Sequence, residues 1–334
     1  MSGSLLFTFI FILPMTIIGL YLYTFVQLKA ATIEDIVNDN GHALVVGAES
    51  SKDQPRIVEY FTYGDPLGIP LIIFHGGALS GSSASEWNDI ARSNGYFVIS
   101  PSQPGWGGTT SSNAGIFERN YYDSGIDVLK ILSHHHLNNT AYHIMGISFG
   151  AGSAAALAQL DHQHVRSLLL VVPLWPSMDT HNAFAQADFV YYLSSLPILD
   201  RLFQFYIMPH VNMVDALRTL APTDFNDLVH TSLEFVSGLS REFARASKYS
   251  RSGACDMMHL VRTGGSAIYL ERETLMSLGD RVSVWYALHD QLAPAFHAEY
   301  LKTLLPAAKY FPFNKGHLGI FQNLQMFIDE MHLN

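Results

Sequence analysis

Cysteine and charged residues are scarce in this sequence. Cys255 is the single cysteine among 334 residues, which excludes an internal disulfide framework and a cysteine-based metal cluster. Charged residues make up 14%, whereas about 25% is usual in a soluble domain. Lysine and arginine total 19 against 29 acidic residues, without a basic cluster, so nucleic acid is excluded as a partner. With 49% hydrophobic residues, the chain is also too apolar to be disordered or collagen-like.

The N-terminal 30 residues include a run without charge from Leu5 to Leu28. As a helix this run would be about 36 Å long, enough to cross a hydrocarbon core of roughly 30 Å. A cleaved signal peptide would have a basic start and an apolar stretch of about 7–15 residues, and neither is present. We therefore predict a transmembrane anchor over residues 1–30 and a single-pass membrane protein of undetermined orientation. A cleaved signal and a buried helix are the alternatives.

Beyond residue 30, short β-prone runs alternate with helical patterns. The candidate strands are His42–Gly47, Ile57–Tyr63, Leu71–Phe74, Tyr96–Ser100, Ala141–Ile147, Val165–Val172, Val282–Leu288 and Lys309–Phe313. The candidate helices are Ala84–Ser93, Glu118–His136, Ala151–Asp161, Ala295–Leu305 and Leu318–His332. Such alternation predicts an α/β fold with a mostly parallel sheet covered by helices on both faces. The first two strands are close enough in sequence to pair antiparallel.

The alternation stops between about Pro173 and Asp280, where helical patterns follow one another. We therefore predict a sheet-containing core over residues 31–172 and 282–334, with residues 173–281 inserted as a helical cap. The cap is rich in apolar and aromatic residues from Phe184 to Met208. These residues would either pack on the core or line a pocket for an apolar substrate, and both can hold for different residues.

The motif Gly146-Ile147-Ser148-Phe149-Gly150 lies between a predicted strand and a helix rich in small residues. A sharp strand-to-helix turn exposes a serine oxygen, and the flanking glycines permit the close packing that the turn requires. The helix N-terminus also directs free N–H groups towards developing negative charge. The motif predicts Ser148 as a nucleophile. The alternative is an ordinary turn rich in glycine and serine.

A serine nucleophile needs a base, and the base needs an acidic partner. His317 follows the last predicted strand in a loop that contains glycine, and Asp290 follows the strand before it. The order Ser148, Asp290, His317 is that of α/β-hydrolase triads. Two alternatives concern the acid: Asp290 could instead cap the following helix, and Asp179 could supply the carboxylate.

Acyl transfer also needs donors for the oxyanion of the tetrahedral intermediate. The backbone N–H of Phe149, next to the nucleophile, is one candidate. The N–H of Gly77, in the loop that begins His75-Gly76, is the other. The alternative for Gly77 is a simple glycine turn.

Taken together, these motifs resemble the α/β-hydrolase superfamily, in particular the branch of monoglyceride lipases and related esterases, over about residues 57–332. The resemblance also includes the segment Ser102-Gln103-Pro104-Gly105-Trp106-Gly107, which is similar to the D-x-P-G-x-G turn of the family. Ser102 stands where an aspartate is usual, and this departure concerns the stability of the turn. The resemblance implies that neither a cofactor nor a metal ion is needed. Ser148 disfavours relatives with an aspartate nucleophile, such as epoxide hydrolases and haloalkane dehalogenases.

These observations predict a membrane-anchored serine hydrolase that cleaves carboxylic esters through an acyl-enzyme on Ser148. An apolar cap beside a membrane anchor favours a small apolar ester or a lipid as substrate. Because a fold does not by itself determine function, one alternative is a ligand-binding or receptor-like module with little or no turnover.

Overall fold

The computed structural model describes residues 15–20, 30–47, 55–110, 120–175, 215, 218–219, 221–223, 225–226, 233–249, 260, 272–319 and 323–333. In these ranges the strands are β1 His42–Val46, β2 Arg56–Gly64, β3 Ile69–Phe74, β4 Tyr96–Pro101, β5 Tyr142–Ile147, β6 Val165–Val171, β7 Val282–Ala287 and β8 Lys309–Phe313. The α-helices are α1 Ile33–Asn38, α2 Asn88–Ser93, α3 Tyr122–His134, α4 Gly150–Leu160, α5 Leu233–Lys248, α6 Arg272–Ser277, α7 Phe296–Leu304 and α8 Gln325–His332. A further short helix covers residues 15–20.

The strands of the described residues form one eight-stranded sheet in the order β1-β2-β4-β3-β5-β6-β7-β8. The pairs β1–β2 and β2–β4 are antiparallel, and every other pair is parallel, so only β2 runs against the remaining strands. The predicted mostly parallel sheet and its antiparallel first pair are confirmed. A parallel sheet brings the carboxyl ends of its strands to one edge, where ligands bind in α/β folds.

The sheet is buried on both faces, as its continuous apolar strands require. Along β3, Ile72 and Phe74 face one apolar cluster, which includes residues of α3, α4 and α7. Leu71 and Ile73 face the other, which includes residues of α2 and α8. This alternation follows from the two-residue period of a strand. The two clusters hold the sheet between two layers of helices.

Two helices differ from the sequence-based expectation at their starts. The segment predicted as helix from Ala84 begins as a 3-10 helix, Gly81–Trp87, before α2. The helix predicted from Leu318 begins only at Gln325. Before it, the chain turns at Gly319, whose N–H donates to the carbonyl of Gly316 over 3.3 Å. This turn keeps the loop after β8 outside the helix.

Helix α1 was not predicted, although its sequence carries a capping signal. The Thr32 hydroxyl accepts a hydrogen bond from the N–H of Asp35 over 3.1 Å, and the Asp35 carboxylate accepts one from the N–H of Thr32 over 2.9 Å. This reciprocal pair satisfies two N–H groups that a helix start otherwise leaves unpaired. The capping box therefore fixes the start of α1 at Ile33.

The predicted anchor over residues 1–30 is described only at residues 15–20 and 30, and the rest lies outside the described residues. None of the helices that the structure describes is long and apolar enough to span a bilayer. Of the predicted cap, 173–281, the described parts include α5 and α6, both helical as expected. The apolar run from Phe184 to Met208 and the alternative acid Asp179 lie outside the described residues.

Candidate active site

Four loops at the carboxyl edge of the sheet carry the predicted site residues. Gly77 follows β3, Ser148 follows β5, Asp290 follows β7 and His317 follows β8. These four strands lie in the half of the sheet from β3 to β8 and run in parallel, so their carboxyl ends share one edge. Residues separated by more than two hundred positions in the sequence thus lie along one edge of the sheet.

Ser148 occupies a strained turn between β5 and α4. Its φ is +52°, in the left-handed region that residues other than glycine rarely adopt. The turn is tight because a Cβ on Gly146 would lie 2.6 Å from the Cβ of Ala154, and a Cβ on Gly150 would overlap the carbonyl of Phe74. Glycine is therefore required at both positions. The N–H of Ser148 donates to the carbonyl of Val171 over 2.9 Å, which ties the turn to the end of β6.

His317 and Asp290 form a buried pair. The Nδ1 of His317 lies 2.7 Å from the Oδ2 of Asp290, and the two residues are 5% and 7% exposed. A carboxylate can only accept this hydrogen bond, so Nδ1 carries the proton and Nε2 is the basic nitrogen. This is the tautomer that a catalytic base needs.

The loop after β7 holds Asp290 from its other oxygen. The Oδ1 accepts hydrogen bonds from the N–H groups of Leu292 over 2.8 Å and Ala293 over 2.7 Å. Helix α7 has Ala295 at its N-cap, so Asp290 does not cap it. The alternative interpretation of Asp290 as a helix cap is wrong. Its Oδ1 instead binds the backbone of its own loop, and its Oδ2 binds His317.

A second histidine, His297, is buried close to the acid. It lies in the first turn of α7 and is 1% exposed. Burial lowers the pKa of His297 to about 4, and the charge of Asp290 opposes that shift. The imidazole is therefore neutral at pH 7 and adds no positive charge to compete with His317 for the carboxylate.

The loop that contains Gly77 packs directly against the serine. A Cβ added to Gly76 would lie 3.5 Å from the Cβ of Ser148, at ordinary van der Waals distance, so the two turns lie side by side. Within the described part of the chain, the N–H groups of Gly77 and Phe149 donate no backbone hydrogen bond. Turns beside a serine nucleophile are where the N–H donors of an oxyanion hole are expected.

Sequence reasoning missed a buried ion pair beneath the turn that contains Ser102. Glu59 of β2 is fully buried, and its Oε1 lies 2.7 Å from a guanidinium nitrogen of Arg245 in α5. The Ser102 hydroxyl donates to Oε2 of Glu59 over 2.5 Å, and the N–H of Gly108 donates to it over 3.0 Å. An acidic residue inside the apolar pattern of β2 was the available signal. Its partner is 186 positions away, beyond any local pattern.

Helix α5 also holds the far end of the loop after β3. The Nη1 of Arg245 donates to the hydroxyl of Ser80 over 2.9 Å, and the Ser82 hydroxyl donates to the carboxylate of Glu242. Glu242 and Arg245 are three positions apart and thus share one face of the helix. A helix from the predicted cap is therefore bonded to the loop that carries Gly77.

In the described ranges, no group of three or more histidine, cysteine, aspartate or glutamate side chains is arranged to hold a metal ion.

Comparison with known proteins relates the chain to one family. A family model described as alpha/beta hydrolase fold matches residues 69–324, well over half of the chain. Comparison with curated protein sequences gives no match.

Solved structures of 13–17% sequence identity share the fold. A hydrolase from Pseudomonas aeruginosa PA01 is 17% identical, with a TM-score of 0.63 and coverage of 87% of this chain and 96% of that one. A bromoperoxidase from Bacillus anthracis is 17% identical, with a TM-score of 0.62 and coverage of 87% and 98%. A thermophilic esterase from Thermogutta terrifontis is 13% identical, with a TM-score of 0.61 and coverage of 87% and 99%. Since their names denote different reactions, the shared fold does not select one.

Proposed function

The chain belongs to the α/β-hydrolase fold family, and on that premise we propose that it is a serine hydrolase that cleaves carboxylic esters through an acyl-enzyme on Ser148. One observation carries the proposal. A serine with a φ of +52° and a histidine paired with a buried carboxylate over 2.7 Å occupy loops at the same edge of the sheet. The presence of esterases among the structures of the same fold adds support.

In the proposed acylation, the Oγ of Ser148 attacks the carbonyl carbon of the ester while Nε2 of His317 takes the serine proton. Asp290 keeps the proton on Nδ1 and stabilises the imidazolium that forms. The imidazolium then gives its proton to the departing alcohol oxygen. The acyl group remains on Ser148 until water, activated by the same histidine, releases the acid.

Negative charge on the carbonyl oxygen reaches its maximum in the tetrahedral intermediate. The N–H groups of Gly77 and Phe149 hold this oxygen in the proposal. Phe149 directly precedes α4, so the positive end of the helix dipole acts at the same point. Loss of one such donor typically costs about 3 kcal/mol of transition-state stabilisation.

The substrate in this proposal is a small apolar ester or a lipid, reached from a membrane through the uncharged run Leu5–Leu28. The position of α1 and β1 in the fold supports the proposed membrane attachment. β1 begins at His42, which pairs with Tyr60, and Tyr60 pairs with Pro101 at the carboxyl end of β4. Helix α1 directly precedes β1 and so lies near the carboxyl edge of the sheet. An anchor before α1 would hold that edge, with its serine, close to the bilayer.

The serine mechanism is tested with a fluorophosphonate probe and a series of p-nitrophenyl esters of increasing chain length. We expect the wild type to be labelled and to hydrolyse the esters, and Ser148→Ala to lose both properties. Ser133→Ala is the matched control, because Ser133 is exposed on α3. An unlabelled, inactive wild type would favour the ligand-binding alternative.

Membrane attachment is tested separately by flotation of the full chain with neutral phosphatidylcholine vesicles. The double variant Phe11→Lys and Ile17→Lys places two charges in the apolar run and should abolish flotation. Leu67→Lys is the control, since Leu67 is 95% exposed in the turn before β3, at the opposite edge of the sheet. Equal flotation of the two variants would rule out this mode of attachment.

A further inference from the structure

Gln103, in the turn after β4, is buried and bonded in three directions. It is 2% exposed. Its backbone N–H donates to Nε2 of His75 over 2.9 Å, and its side-chain Nε2 donates to the carbonyl of His75 over 2.8 Å. Its Oε1 accepts a hydrogen bond from the hydroxyl of Ser153 over 2.7 Å. The side-chain amide therefore joins the start of the loop after β3 to helix α4.

The hydrogen bonds fix both the amide orientation and the histidine tautomer. Since Nε2 of His75 accepts from Gln103, the proton is on Nδ1, which donates to the carbonyl of Gly76 over 2.7 Å. Burial lowers the pKa of His75 to about 4, so the ring is neutral at pH 7. The carbonyl groups of His75 and Gly76 are thus held in place immediately before Gly77.

The elements that Gln103 joins are those that carry the two proposed oxyanion donors. His75 lies two positions before Gly77, and Ser153 is in the first turn of the helix that Phe149 precedes. We propose that Gln103 is a positioning residue that sets the spacing between the N–H groups of Gly77 and Phe149. This inference rests on the proposed function. Gln103 acts through His75 and α4 and does not touch the reacting atoms.

A glutamate at this position tests the idea because it keeps the size of the side chain. In Gln103→Glu, the ionised carboxylate can still accept a hydrogen bond from the hydroxyl of Ser153. It cannot donate to the carbonyl oxygen of His75, and the two oxygens repel each other. We expect kcat for a p-nitrophenyl ester to fall about 10- to 100-fold, with KM changed less than about twofold, since a misplaced donor weakens chiefly the transition state. Affinity for a trifluoromethyl ketone, which forms a tetrahedral adduct with serine, should fall by a similar factor.

The pH profile provides a readout that a merely structural role would not change. A protonated glutamate can again donate to the carbonyl of His75, so the ratio of variant to wild-type kcat should rise as the pH is lowered. Taking the ratio removes the titration of the catalytic base, which both proteins share. A ratio that does not change with pH would overturn the inference.

Two further variants separate positioning from loss of stability. Ser100→Ala is the matched control: Ser100 is fully buried, and its hydroxyl donates to the carbonyl of Ile73 over 2.9 Å, before the loop begins. It should lower the melting temperature without selective loss of kcat. Ser153→Ala removes one bond to Gln103 and should lower kcat about 3- to 10-fold, which also covers the case in which Gln103→Glu does not fold.

The outcomes distinguish this inference from the proposed function. Wild-type hydrolysis that disappears in Ser148→Ala, with kcat unchanged in the folded Gln103 and Ser153 variants, would overturn the positioning role alone. Equal selective losses in Ser100→Ala and Ser153→Ala would also overturn it. Absence of wild-type hydrolysis would overturn both.

Discussion

The hydroxyl of Ser102 donates a hydrogen bond of 2.5 Å to the carboxylate of Glu59, and both side chains are buried. The turn that contains Ser102 resembles the D-x-P-G-x-G turn of the family, in which an aspartate occupies the position of Ser102. Here the buried carboxylate comes from the neighbouring strand β2, and Arg245 balances its charge from α5. The departure at Ser102, which concerns the stability of the turn, is thus matched by the carboxylate of Glu59.

Restoring the aspartate should therefore weaken the protein. Ser102→Asp places a second carboxylate against Glu59, where one guanidinium faces two negative charges. We expect the free energy of unfolding in urea to fall by about 3 kcal/mol, the magnitude typical of an uncompensated buried charge. Addition of Glu59→Gln should recover most of this loss. A Ser102→Asp variant as stable as the wild type would show that Glu59 does not take the place of the aspartate.

Arg245 should be important for stability, whereas a neighbouring ion pair on the same helix should not. Arg245→Met leaves the fully buried Glu59 without its cation, and we expect a loss of about 3–5 kcal/mol in urea unfolding. The control is Lys248→Met, because the Lys248–Asp39 pair spans 3.4 Å with side chains 52% and 27% exposed. Its loss should cost less than about 1 kcal/mol. Equal effects of the two variants would contradict this assignment.

Asp290→Asn should abolish most activity without unfolding the protein. The asparagine oxygen can still accept from the N–H groups of Leu292 and Ala293, but its NH₂ group cannot accept the Nδ1–H of His317. We expect kcat to fall roughly 10⁴-fold, with little change in melting temperature.

Ester hydrolysis by two further variants identifies which aspartate is the acid of the triad. Asp280→Asn, an exposed aspartate before β7 at the opposite edge of the sheet, should retain full activity. Asp179→Asn tests the alternative carboxylate that the sequence offers. If Asp179→Asn loses activity while Asp290→Asn retains it, the assignment of the acid is wrong.

Stability should decrease as the pH falls from about 6.5 to about 4. Burial lowers the pKa of His75, His143 and His297 from 6.5 to about 4, so in this window only the unfolded chain binds their protons. Each such proton gives a slope of about 1.4 kcal/mol per pH unit, and the loss is complete below pH 4. Urea unfolding at several pH values measures the slope.

One of these histidines can be removed to test this origin of the slope. His143 lies in β5 with its Nδ1 2.7 Å from the hydroxyl of Ser167. We expect His143→Gln to reduce the slope by about one proton relative to His136→Gln, which changes an exposed histidine after α3. Identical slopes would exclude His143 as a contributor.

The order of the strands and of most helices could be predicted from local sequence patterns. Strands such as Leu71–Phe74 are continuous apolar runs because they are buried on both faces, and that signal is local. The turn that contains Ser148 could also be predicted from the sequence, because its glycines at 146 and 150 mark it. The structure shows why both are needed: a Cβ at either position would meet residues close in sequence or in the adjacent strand. Helix α1 was missed, although its Thr32–Asp35 capping box is equally local.

Which distant side chains come into contact could not be predicted from the sequence and follows from the packing of the chain. The pair of Asp290 with His317 required β7 and β8 to be neighbours, and the bonds of Gln103 to His75 and Ser153 required two loops and the start of α4 to lie together. The pairing of Glu59 with Arg245 depends on where α5 packs. Such contacts follow from the packing of the whole chain, whereas sequence patterns report only the local burial and backbone conformation of each segment.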